Sequence, residues 1–519
     1  MSNSFREKSK SLVFLVSAAA SATASASIMP TTVALSGATA PGGGTFNAFT
    51  NPVLNATGEV AFAASVTGGT STSGIFTETP ASIQAIALQG TAAPAGGNYG
   101  NLFTSSTSTS TTLNSTGTLA FTAPLTGGTS TSGIFAGSSA ATLGSVALQG
   151  TAAPAGGNYN AFLANGTNQA YSPVLNSVGQ LALQSTLTGG TSAAGIFTGT
   201  SAATLQTVAL VGGAAPTPPG GTYATTATVP TINSAGQVAF VSIVGGLQGI
   251  FAGTPGAAQT VMYQGTAAPG TLGEIYGTPT TTYSYNNLGQ AAFISSITGG
   301  SLGQPTTGVF VGAPGSVQNV ALGASTGGSL APGGTGGSFT TLSSVTVNGL
   351  GQVAFTAGLT GGTSTSGLFL GSTSSNLQAV ALVGGTSPDG ETYSSFGSTE
   401  LTNDNGEVAF LVNLSGADVT AGVNSEELVA GTPGNLTELV REGDVINGLT
   451  VNGFGLLTGS GGQDGKGMDF NDLNEVAYRL TFTNGTSGVF ESAVPEPTSL
   501  GLIVAGGAIL VRRTRRRTV

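Results

Sequence analysis

Asn55-Ala56-Thr57-Gly58-Glu59-Val60-Ala61-Phe62 is the first of eight copies of one phrase. It returns as NSTGTLAF from Asn114, NSVGQLAL from Asn176, NSAGQVAF from Asn233 and NNLGQAAF from Asn286. The last three are NGLGQVAF from Asn348, NDNGEVAF from Asn403 and NDLNEVAY from Asn471. Asn and Gly three residues apart favour a tight turn, because the Asn side chain bonds nearby backbone and Gly accepts positive φ at the exit. In the eighth copy Asn474 takes the Gly place, and Asn is the other residue that tolerates the left-handed region. The residues after the turn alternate: Val60, Phe62, Ala64 and Val66 point one way, Ala61 and Ala63 the other. Period two after a turn predicts a hairpin strand. Every copy keeps a small residue, Ala61 through Ala477, on the second face, so a large face meets a small face and the sheets can stack.

The spacings between successive phrases run from 53 to 68 residues, with a mean of about 59. Each period holds four apolar runs: a Val-Ala-Leu type strand such as Val33 to Leu35, a strand entering the Asn such as Pro52-Val53-Leu54, the alternating strand, and Gly-Ile-Phe as at Gly74. The seventh copy of the last run is altered near Ala421 to Ala430. Four short antiparallel strands per period predict an all-β repeat protein, an eight-bladed β-propeller, with a β-solenoid as the alternative and tandem sandwiches behind it. The ring could close between blades or within one.

Composition narrows the chemistry. The chain has 519 residues, 85 Gly, no Cys, no His and a net charge of −10. Outside the termini its bases are Arg441, Lys466 and Arg479, far too few for a nucleic-acid footprint. Of 21 acids, 17 lie from Asp389 onward. Without His or Cys there is no imidazole base, no thiolate and no ordinary zinc site, and the chain is expected not to be an enzyme. Acid pairs can still hydrolyse glycosides. The acids of GGQDGKGMDFNDLNE, Asp464, Asp469, Asp472 and Glu475, are the candidates, and Asp464, Asp469 and Asp472 are also a faint calcium possibility. No other cofactor is expected. Aromatic residues after each Pro/Gly loop, Tyr99, Tyr159, Tyr223 and Tyr393 among them, could stack on sugars if they opened on one propeller face, or plug the ends of their own blades.

The two ends carry targeting signals. Basic residues precede an apolar run from Leu12 to Ala20 and A-x-A sites ending at Ala24 and Ala26, so residues 1–26 are expected to be a signal peptide. At the other end Val494-Pro495-Glu496-Pro497 precedes an apolar run from Leu500 to Val511 and then Arg512, Arg513, Arg515, Arg516 and Arg517. That run is short for a spanning helix, and its basic end would stay cytoplasmic.

This tail, residues 494–519, resembles the PEP-CTERM sorting signal of bacterial envelope proteins, with Pro495, Glu496 and Pro497 as the sorting element. The body, residues 31–491, resembles the tandem NxxGxxAF-repeat proteins that often carry such tails. The resemblance implies an exosortase-type sorting enzyme as partner and a short C-terminal transmembrane helix that engages the inner membrane before processing. It supplies no catalytic residues. The expectation is therefore an exported envelope or matrix protein of structural or adhesive kind, contacting exopolysaccharide or matrix proteins. The alternative is an extracellular glycan-active hydrolase or lyase using acids of the C-terminal repeats.

Overall fold

The repeated phrase closes as the sequence predicts. In the second copy Gly117 N–H donates to the Asn114 carbonyl at 3.0 Å, and Asn114 N–H to the Thr118 carbonyl at 2.9 Å. The Asn114 Oδ1 accepts from the Thr116 and Thr118 amides at 3.1 and 2.8 Å, and Gly117 sits at φ 73°. Asn474 holds the same place at φ 63°. Each turn joins the first strand of a blade to the second.

The computed structural model describes residues 28–495, apart from 80–81, 95, 104–110, 163–172, 226–229, 300–305, 326–327, 334–336 and 458–468. Its strands form eight antiparallel sheets, seven of them meanders of neighbours in chain order. Blade 1 runs Thr45–Phe49 with Val53–Leu54, Val60–Thr67, Ser73–Thr79 and Ser82–Leu88. Blade 6 runs Ser338–Val347, Val353–Thr360, Ser366–Gly371 and Gln378–Leu382. Blade 7 runs Thr392–Thr402, Val408–Ser415, Glu426–Thr432 and Asn435–Arg441. In blade 8, Leu449–Gly455, Glu475–Phe482 and Ser487–Ala493 are completed by Thr31–Leu35 from the start of the chain. The ring therefore closes within blade 8, and the Val-Ala-Leu runs are the outermost strands of the blades they follow.

Blades stack through the large and small faces. Val60, Phe62, Ala64 and Val66 pack with Ala477 and Val489 of blade 8, while Ala61 and Ala63 face Leu119, Phe121 and Phe135 of blade 2. Burying a ring such as Phe121 contributes about 2–3 kcal/mol, and the neighbouring blade completes that burial. That is why the units exist as a ring.

The eight-bladed propeller stands, and the solenoid does not describe this chain. The expected C-terminal transmembrane helix is corrected: among the described residues no helix is long and apolar enough to cross a membrane. The signal peptide at 1–26, Glu496, Pro497, the run from Leu500 to Val511 and the Arg512 to Arg517 cluster lie outside the described residues. The expected inner-membrane anchor has no support among the described residues.

Candidate functional site at the ring axis

The eight phrase asparagines form one closed circuit. Asn55 Nδ2 donates to the Asn114 carbonyl at 2.9 Å, Asn114 to Asn176 at 3.0 Å, Asn176 to Asn233 at 2.9 Å and Asn233 to Asn286 at 3.4 Å. Asn286 then donates to Asn348 at 2.9 Å, Asn348 to Asn403 at 2.8 Å, Asn403 to Asn471 at 3.1 Å and Asn471 back to Asn55 at 3.0 Å. All eight side chains are buried. Buried amides are tolerated because every group is satisfied. The circuit ties each blade to the next around the axis.

One residue beyond each Gly lies a second circlet: Glu59, Thr118, Gln180, Gln237, Gln290, Gln352, Glu407 and Glu475. Most of these side chains accept from the Asn of their own phrase, as Glu59 does from Asn55 at 2.7 Å and Glu475 from Asn471 at 2.7 Å. They also lie over the glycine of the next blade. A Cβ on Gly58 would come within 2.9 Å of Glu475 Oε2, and one on Gly117 equally close to Glu59 Oε2. The third phrase position projects into solvent, with Val178, Leu288, Leu350 and Leu473 exposed. This mouth of the axis thus offers hydrogen-bonding edges inside a partly apolar collar.

The three carboxylates of the circlet, Glu407, Glu475 and Glu59, fall on consecutive blades 7, 8 and 1. At the seam between blades 8 and 1, Glu491 lies beside Glu475, and Glu78 of blade 1 is close by. Burial first, and then the Glu475 and Glu78 charges, push the Glu491 carboxyl up to about 8. Burial also raises Glu78. A protonated Glu491 is a donor at neutral pH. Sequence reasoning missed Glu491 and Glu78, since neither lies in the phrase; their pairing follows from ring closure.

The other sequence candidates separate. Asp469 is fully buried, accepts from the Leu457 amide, and burial raises its pKa well above the carboxylate range. It is a structural group away from solvent. Asp472 accepts from the Asp404 amide at 2.8 Å beside the circuit, and Asp464 is outside the described residues. Calcium is corrected accordingly: among the described residues no three acidic, His or Cys side chains come together to hold a metal ion. Tyr99, Tyr159, Tyr223 and Tyr393 are all 2–3% exposed. Tyr99, Tyr159 and Tyr223 meet Phe135, Phe197 and Phe251 edge-on at 5.2–5.3 Å, so those rings plug their blades.

Residues 14–152 and 73–501 match a family profile described only as a family of unknown function, DUF7453. The chain belongs to the DUF7453 family. No curated protein matches it. Among solved structures, this DUF7453 chain is similar to a puromycin-hydrolyzing peptidase of Mycobacterium tuberculosis, at 12% identity over 91% of this chain and 63% of that one, TM-score 0.38. It is similar to prolyl oligopeptidase B of Galerina marginata, at 8% identity over 86% and 54%, TM-score 0.38. It is also similar to an α-L-arabinofuranosidase of Fusarium graminearum, at 13% identity over 62% and 91%, TM-score 0.25. The chain thus spans less than two thirds of the length of either peptidase. No residue role is carried over from any of them.

Two further expectations are corrected. The expectation that the chain is not an enzyme does not stand, since it rested only on the missing His and Cys. The missing His and Cys exclude particular chemistries, whereas the ring brings carboxyls together. The exosortase-type partner and the transient inner-membrane contact both depended on the C-terminal span, and no spanning helix supports them among the described residues.

Proposed function

We propose that this DUF7453 chain binds a glycan at the asparagine mouth and hydrolyses it with Glu475 and Glu491. The observation that carries this reading is the nearness of those two carboxyls beside the circlet of amides and carboxylates. Polyhydroxylated ligands need many hydrogen-bonding edges around a partly apolar surface, and the mouth presents both. Glu491 holds the proton and gives it to the leaving glycosidic oxygen. Glu475 takes a proton from the attacking water, so bond cleavage and proton transfer balance. The division into a leader at 1–26, a repeat body at 31–491 and a tail at 494–519 belongs to the same proposal.

The test is release of reducing ends from a panel of neutral, amino and uronate polysaccharides by the full chain. Glu475→Gln and Glu491→Gln should each reduce turnover by at least about 10²-fold with an unchanged melting profile. A wild-type protein silent on the whole panel, or variants as active as wild type, would sink the proposal.

A further inference from the structure

Where the chain enters a blade, five blades carry a tyrosine, Tyr99, Tyr159, Tyr223, Tyr276 and Tyr393, and blades 1 and 6 carry Phe46 and Phe339. The rings pack alike. Phe46 and Phe339 each meet a third-strand ring edge-on at 5.0 Å, and Tyr99 does so at 5.2 Å. Packing therefore needs no hydroxyl at this place. Yet all five tyrosine hydroxyls are buried without a hydrogen-bond partner. A buried hydroxyl left unmet costs about 1–3 kcal/mol, and the fold gains nothing from it.

Two of these tyrosines line clefts between neighbouring blades. Tyr99 lies in one of about 550 Å³ between blades 1 and 2, and Tyr393 in one of about 440 Å³ between blades 6 and 7. Each cleft runs beside four residues of an outer strand, Ala85 to Leu88 or Ala379 to Leu382. Among the described residues no charged side chain lines either cleft. In the second, Ser387 stands where six other loops have Ala before Pro, and its hydroxyl is also buried without a partner. Burial pushes the Tyr99 hydroxyl up to about 12, so it remains a donor at neutral pH. The clefts thus offer apolar walls, unmet hydroxyl donors and no charge.

The matching cleft between blades 4 and 5 already has proline against its wall. Pro216, Thr217 and Pro218, from the loop entering blade 4, line it. The Thr260 hydroxyl donates to the Pro218 carbonyl at 2.5 Å. Thr260 lies on the outer strand Gln259–Tyr263, at the place that Ala85 and Ala379 hold in blades 1 and 6. In blade 1 the entering loop reads Pro41-Gly42-Gly43-Gly44 and brings no second proline to that strand.

We propose that the clefts between blades 1 and 2 and between blades 6 and 7 each bind a proline-bearing extended segment of a partner protein, with Tyr99 in the first and Tyr393 and Ser387 in the second donating to its carbonyls. A polyproline helix has no internal hydrogen bonds, so its carbonyls are free to accept. Its proline nitrogens bring no N–H for the apolar walls to leave unmet. At about 3.1 Å per residue, some four residues match the roughly 13 Å of outer strand beside each cleft. Grooves with aromatic and apolar walls are where such segments dock. A charged group would find no counter-charge, and a sugar would find too few hydrogen-bonding edges. Both clefts are independent of the reading at the axis.

Fluorescence anisotropy of the full chain tests this with a labelled Ala-Pro-Pro-Ala-Pro-Pro-Ala peptide, the same peptide with Ser at every Pro, and N-acetylprolinamide as an unlabelled competitor. We expect saturable binding of the proline peptide, none of the serine peptide, and no displacement by the single-residue competitor at equal concentration. The triple variant Tyr99→Phe, Ser387→Ala, Tyr393→Phe puts into both clefts residues that other blades already use. It should bind about tenfold more weakly, with a melting profile no lower than that of wild type. No binding of the proline peptide at millimolar concentration, equal binding of the serine peptide, or full affinity in the triple variant would overturn the proposal. Displacement by N-acetylprolinamide at equal concentration would also overturn it, since the clefts would then be small-molecule pockets.

Discussion

Replacing Glu427 by Gln should leave stability at acid pH untouched and raise it at alkaline pH. Burial is the largest cause moving this carboxyl from 4.5 to about 8, followed by repulsion from Asp389, with Arg441 opposing. The native protein therefore keeps a proton that the unfolded chain gives up near pH 4.5. Binding more protons in the native state means that stability falls as pH rises from about 4.5 to about 8. The span from 4.5 to about 8, at about 1.36 kcal/mol for each tenfold change in proton affinity, sets a ceiling near 5 kcal/mol. Local opening that wets the carboxyl reduces this, so we expect about 2–4 kcal/mol. Glu438 and Glu491 titrate in the same sense and remain in both proteins, but Glu438 loses the repulsion of the Glu427 charge in the variant, which adds to the gain at pH 8. Urea unfolding at pH 4.5 and pH 8 gives the numbers. The two proteins should agree within about 0.5 kcal/mol at pH 4.5, and the variant should be the more stable at pH 8. Parallel curves across the whole range would show that Glu427 is solvated in the native state, and the reasoning would fail.

Asn114→Ala removes the donor to the Asn176 carbonyl and the acceptor of the Thr116 and Thr118 amides; with buried partners left unmet, equilibrium unfolding should show a loss of about 3 kcal/mol. Tyr159→Phe deletes a hydroxyl that is buried without a partner, so thermal melting should show no loss and a gain of up to about 1 kcal/mol; a loss larger than that would mean that the hydroxyl binds something.

The turn and the strands were legible because their causes are local. Asn114, Gly117 and the alternation after them each act within a few residues, and eight repetitions average out the noise. The phase of the repeat was not legible. Val33 to Leu35 reads as the start of a period, yet Thr31–Leu35 is the last strand of blade 8, paired with Ser487–Ala493. Periodicity fixes the length of a unit but not where the chain is cut, and closure is decided by contacts some 450 residues apart, such as Ser36 with Ser487. The Glu475–Glu491 pair was hidden for a related reason: a strand register sets which acid meets which. The seventh copy was visibly altered, but a string of letters does not say that Glu427, Arg441, Glu438 and Asp389 meet at one corner.

That corner and the 8/1 seam share a logic. Both involve the last two blades, where the acids concentrate, and each includes a carboxyl where most blades carry Gly, Glu427 at the corner and Glu78 at the seam. A lone domain of about 60 residues could hardly carry such buried charge, because each unmet carboxyl costs kilocalories against a net stability of only about 5–15 kcal/mol. In a closed ring the cost falls on one seam, while the asparagine circuit and six apolar seams hold the geometry. A sequence that departs from its own repeat at interlocking positions, against stability, has kept those departures for another reason, and at the seam the glycan chemistry proposed for Glu475 and Glu491 is that reason.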